Sequence, residues 1–175
     1  LSCIAAEAHN LDDLKTLASR TKVVISTVGP YAKLGSKLVE ACATTGTHYC
    51  DLTGEIPWLK EMIAKWSEVA QSNKARLVHC CGFDALPSDI GVLALQNYAM
   101  NTHEIYCDQI TSALVGAKGG FSGGTVASLV AMVEQAKTNK DLRKTLKNPY
   151  SLGPAAEVEL PKQADLNKVV YDGDF

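Results

Sequence analysis

The sequence predicts an α/β fold, a parallel sheet interleaved with helices, and three observations carry that reading. Strand-like and helix-like patterns alternate through the first hundred residues with short connections, the rhythm of successive βαβ units. The strand-like runs are apolar and often β-branched, as suits strands covered on both faces. Three of them in succession end in unusual turns rich in small and polar residues, STVGPY, DLTGE and CCGFDALPSD.

Residues 1–6, LSCIAA, read as the first strand. Asn10 is placed to cap the helix LDDLKTLASR, with Asp12 and Asp13 in the first turn, where the helix dipole favours acidic groups. KVVISTV (22–28) is the second strand, and the helix from Leu34 stops at Gly46, a natural left-handed cap. THYCDL (47–52) is the third strand. In the helix that follows, 56–74, the residues Trp58, Leu59, Met62, Ile63, Trp66, Val69 and Ala70 share one face. ARLVHCC (75–81) is the fourth strand, and Ser88 is placed to cap a helix over 88–100. The rhythm then changes near Asn101. Residues 104–117 read as one long strand, GAKGGFSGG as a flexible segment, 125–147 as a helix and 148–175, with three prolines, as irregular. The expected division is therefore 1–100 and 101–175.

Bulk properties exclude several classes. The 175 residues are 46% hydrophobic, enough to bury a core. Seventeen basic against nineteen acidic residues leave a net charge of −2, which argues against nucleic acid or an anionic membrane as partner. Apolar runs are interrupted well before the roughly 20 residues of a spanning helix. The six cysteines show no zinc-site spacing, so no metal is expected, and they read as reduced thiols of an intracellular protein, cytoplasmic or peripheral to a membrane.

In a parallel sheet the carboxyl ends of the strands lie along one edge. Thr27, Tyr31, Asp51, Glu55, Phe83 and Asp84 are therefore expected to line one crevice, the usual ligand position in open α/β sheets. Tyr31, Asp51 and Asp84 are the candidates for catalytic work, and Glu55 is either a substrate contact or a cap for the helix near Ile56. His79, inside RLVHCC, reads as a hydrogen-bonded core residue. No Ser-His-Asp arrangement with a nucleophile turn is present, which argues against hydrolysis. Lys118, beside glycines but without a Walker spacing, reads as part of a hinge or substrate-covering loop.

The motifs TVGPY, GTHYCDLTGE and CGFDALPSDIG, at their spacing, resemble the saccharopine dehydrogenase-like oxidoreductases, including the trans-acting enoyl reductases. The resemblance implies the carboxyl part of a Rossmann-like domain binding NADP or NAD, followed by the beginning of an α+β domain for substrate and dimerisation. It places Leu1 at the third strand of the family's domain, with the first strands and the glycine fingerprint upstream. It further implies that Ser26, Thr27, Val28 and Gly29 pass beneath the cofactor, that Tyr31 lies near the nicotinamide, and that Glu7, at the end of the first strand, lies near the adenine. Tyr31, Glu55, Phe83 and Lys118 are the expected substrate contacts. GGFSGGT resembles the glycine-rich start of a second-domain helix.

The function expected is hydride transfer to or from a C=C, C=N or C=O group of a small molecule, an acyl or lipid-linked one among the options, with a homodimer through the second domain as a further option. The alternative is a non-catalytic binding or scaffold protein that keeps the sheet without a working dinucleotide site.

Overall fold

The structure is a computed structural model that describes residues 3–114, 116, 118–120, 122–148 and 150–152. Its centre is a parallel sheet of three strands in the order β1-β2-β3, formed by Val23–Ser26, His48–Asp51 and Leu77–Val78. Val23 pairs with His48 and Ser26 with Asp51, so β1 and β2 end level, which brings the STVGPY and DLTGE turns side by side. Tyr49 and Cys50 then pair with Leu77 and Val78.

Helix α1, Leu11–Ala18, begins as the sequence predicts, with the Asn10 side chain accepting the backbone N–H groups of Asp12 and Asp13. After β1 comes one short turn of helix, α2, Tyr31–Leu34, then α3, Ser36–Thr45. Between them Gly35 admits no side chain, because a Cβ there would stand 2.9 Å from both the Trp58 ring and the Tyr31 carbonyl. Helix α3 ends at Gly46 with φ of 76°, the left-handed cap expected from the sequence. Helix α4 spans Ile56–Ser72.

All three helices α1, α3 and α4 cover the same face of the sheet. Their core joins Leu14, Ala18, Val39, Ala41, Cys42, Tyr49, Trp58 and Met62, with Val24 and Leu77 packed against it. Of the predicted α4 stripe, Trp58, Leu59, Met62 and Ala70 are buried, whereas Ile63 is exposed. The opposite face behaves otherwise than the β-branched strands suggest. Ile25 is 72% exposed, and Val23 and Val78 are about half exposed. The reason is topological: right-handed crossovers that always step in one direction across a sheet put every helix on one side.

Several elements differ from the sequence reading. Residues 3–7 form no strand, because no described strand lies beside them to supply a ladder, and Glu7 instead offers its carbonyl to the Asn10 N–H in the turn before α1. Helix α5 spans Leu86–His103 and starts behind Ala85 without a side-chain cap, so Ser88 lies inside it, as does Asn101. The strand expected over 104–117 is absent among its described residues. Cys107 gives its N–H and C=O to the two ends of the Gln96 side-chain amide, at 2.8 and 3.0 Å, in place of a neighbouring strand. The helix expected over 125–147 is two helices, α6, Gly123–Thr138, and α7, Lys140–Lys147. Asn139 divides them by turning extended and accepting the N–H groups of Asp141 and Leu142, a strong local cap that overrides continuous helical propensity. The irregular tail expected from 148 lies outside the described residues apart from Asn148 and 150–152. Among the described residues no helix is long and apolar enough to cross a membrane.

Candidate functional site

The three strand ends are built from interlocking polar groups. Asp51, at the end of β2, is 2% exposed and has no room for an unpaired charge. Its Oδ1 accepts the N–H groups of Thr53 and Cys80, both at 3.1 Å, and its Oδ2 lies 2.7 Å from His79 Nδ1. Burial would raise its pKa, but the hydrogen bond and charge of His79 and the two backbone donors outweigh burial and hold the carboxyl below its ordinary value. Asp51 thus ties the β2 turn to the β3 turn beneath the site surface. His79 is the hydrogen-bonded core residue expected, braced edge-on by Tyr49 and Trp58.

Tyr31 closes the β1 turn. After the cis Gly29–Pro30 bond it folds back, its hydroxyl donating to the Ser26 carbonyl at 3.0 Å and its ring lying against Trp58. Burial raises the pKa of its phenol, so the hydroxyl remains a donor.

Glu55 caps no part of α4 through its side chain. Its carboxylate crosses instead to the β1 turn, where Oε1 accepts the Tyr31 N–H at 2.7 Å and Oε2 the Ala32 N–H at 2.9 Å. The same Oε1 accepts the Ser128 hydroxyl at 2.8 Å, which brings α6 onto the carboxyl edge of the sheet. Helix α6 starts at Ser122, whose hydroxyl oxygen accepts the Thr125 N–H at 3.2 Å.

Between that edge and the first turns of α6 lies a cleft of about 160 Å³. Thr27, Gly29, Tyr31, Gly54, Glu55 and Asp84 meet there with Thr125, Ser128 and the apolar Leu52, Leu129 and Met132. Of the residues expected in one crevice, Thr27, Tyr31, Glu55 and Asp84 are thus brought together. Asp51 lies beneath the floor, and Phe83, 77% exposed, is not among the cleft's walls. Ser26 is buried below the turn, and Val28 is exposed beside it. Glu7 and Lys118 are exposed and line no part of the cleft. Ser122 and Thr125 were legible only as part of a glycine-rich helix start, and nothing in the sequence marked Ser128, whose bond to Glu55 spans 73 residues of chain.

A parallel sheet whose strand ends open on a cleft beneath a helix belongs to the open α/β ligand-binding class. Residues 1–78 match the family described as the saccharopine dehydrogenase NADP binding domain. The match supports NADP or NAD as the cofactor. Over 93% of its length the chain is 41% identical to a Mycobacterium tuberculosis protein provisionally named a trans-acting enoyl reductase. It is also 36% identical to a trans-acting enoyl reductase of Mycobacterium bovis and 35% to that of Mycobacterium leprae, again over 93% of the chain. The chain spans 39% of the first of these relatives and 40% of the other two. No solved structure matches it.

Proposed function

We propose that the protein containing this chain is an NADP- or NAD-dependent oxidoreductase that reduces a C=C bond conjugated to an acyl carbonyl, with residues up to about 100 in the cofactor domain and later residues opening the substrate domain. The observation that carries this reading is the convergence of Thr27, Gly29, Tyr31, Glu55 and Asp84 with the start of α6 around one cleft at the carboxyl edge of the sheet. The names of the relatives supply the reaction class.

The residues present fit a nicotinamide. Thr27 and Val28 are exposed and Gly29 half-buried, a shelf with an apolar Val28 and a glycine whose Cβ position is bounded only by ordinary contacts, the nearest at 3.6 Å. The cofactor supplies the hydride. The chain's own residues do the rest. Thr27 and Gly29 support the flat ring, while Leu52, Leu129 and Met132 offer apolar walls to the carbon chain of a substrate and exclude water from it. Tyr31 and Asp51 are committed to holding the turns. Asp84, exposed at the cleft, is the group among the three candidates left free to hold or move a proton.

The test is titration of the intact protein with NADPH and NADH, followed by the absorbance of the reduced nicotinamide upon addition of an enoyl thioester. Saturable binding and oxidation dependent on the thioester support the proposal. Absence of binding to either cofactor would point to the non-catalytic alternative.

A further inference from the structure

Helix α6 meets the sheet edge through one side-chain hydrogen bond among the described residues, Ser128 Oγ to Glu55 Oε1 at 2.8 Å. The acceptor is not a surface carboxylate that could find water instead. Glu55 is 6% exposed and already holds the first two N–H groups of α2. A hydrogen bond whose acceptor is shielded from water is costly to break, since the lost partner is not replaced. Glu55 is itself held by the turn below it, since its N–H donates to Thr53 Oγ1 at 3.1 Å and the Thr53 N–H donates to Asp51. The chain of bonds from β2 to α6 therefore has little slack.

Ser128 also lies over the proposed cofactor shelf. A Cβ built on Gly29 would stand 3.8 Å from Ser128 Oγ and 3.6 Å from the Tyr31 ring. Any group resting on Gly29 thus reaches Ser128, which with Gly124, Thr125, Leu129 and Met132 forms the side of the cleft contributed by α6. Helix α7, whose Leu142 is buried, packs against both α4 and α6 and supplies the second attachment, away from the cleft.

We propose that the Ser128–Glu55 hydrogen bond is the latch that seats α6 over the cleft, and that a cofactor on the Thr27–Gly29 shelf tightens it. Ser128 and Glu55 then act as positioning residues that couple cofactor binding to the shape of the substrate pocket. This inference rests on the oxidoreductase reading given above.

Amide hydrogen exchange of residues 123–138 in the intact protein, with and without NADPH, tests it. In the wild type NADPH slows exchange in α6. Ser128→Ala, which favours the helix itself at least as well as serine, speeds α6 exchange about tenfold without cofactor, the effect of losing one such bond. In that variant NADPH binds several-fold more weakly, because the coupling is reciprocal, and at saturation it no longer protects α6, while Ser128→Thr, which keeps the hydroxyl, restores both affinity and protection. If NADPH binds and α6 exchange is the same in wild type and Ser128→Ala, the latch is overturned and the cofactor reading stands. If the wild type binds neither NADPH nor NADH, the functional reading falls and the coupling falls with it.

Discussion

Asp51 and His79, 28 residues apart, meet at 2.7 Å with side chains 0% and 7% exposed, and this buried pair joins the ends of β2 and β3 under the cleft floor. Because the Asp51 pKa is held below its ordinary value, its contribution to stability is complete above the unfolded value of about 3.9 and is lost as pH falls through the lower folded value. Asp51→Asn should cost about 3 kcal/mol at neutral pH, the penalty for breaking a buried pair. Urea unfolding of the intact protein at several pH values should show a shallower loss of stability below about pH 4 in the variant. Parallel acid limbs in the two proteins would assign the acid sensitivity elsewhere.

Gly46→Ala should destabilise the protein by more than about 1–2 kcal/mol, since its φ of 76° strains any L side chain and the new Cβ would lie 2.7 Å from the Asn73 carbonyl oxygen. A denaturant midpoint equal to that of the wild type would contradict this cap geometry.

Tyr49→Phe should be close to neutral or stabilising by up to about 1 kcal/mol. Its hydroxyl is buried beside Asp51 and Ser26 but reaches neither with good hydrogen-bond geometry, and Asp51 keeps its bonds to Thr53, Cys80 and His79 without it. A loss above about 1 kcal/mol in urea unfolding would show that the hydroxyl is paired after all.

Gly29→Val should weaken NADPH binding about tenfold, or about 1.4 kcal/mol, measured in protein shown by circular dichroism to remain folded. The first carbon has ordinary contacts, but the added methyls occupy the shelf. Unchanged affinity in the folded variant would move the cofactor off this turn.

Asp84→Asn should lower kcat by roughly a hundredfold with NADPH affinity nearly unaltered, if this carboxylate manages a proton in the cleft. Equal losses in kcat and cofactor affinity would mark it as a binding group instead.

Much of this architecture was legible in the sequence because its causes are local. Asn10 before an acidic turn, Gly46 after an amphipathic helix and the β-branched run at Val23 each announce an element from within a few residues. The failures also share a cause. LSCIAA and EIYCDQITSAL have strand composition, yet a strand exists only where a neighbour completes its ladder, and Gln96 satisfies Cys107 instead. Asn139 broke a continuous helical pattern because capping geometry outweighed propensity.

The candidate site divides in the same way. That three polar turns share one edge follows from parallel strands alone, and so does the placement of Thr27, Tyr31, Glu55 and Asp84 near one another. Composition could not tell which of the carboxylates faces the cleft. Asp51 turns inward to His79, Glu55 reaches across to Tyr31, Ala32 and Ser128, and Asp84 remains at the cleft wall. By itself the sequence determined the strand-turn-helix order and the edge on which chemistry gathers, because periodicity and turn residues act over a few positions. Only the tertiary structure decided which acidic groups are committed and that α6 comes down on Glu55, because a buried charge takes whichever donors the packed chain brings within reach, however distant in sequence.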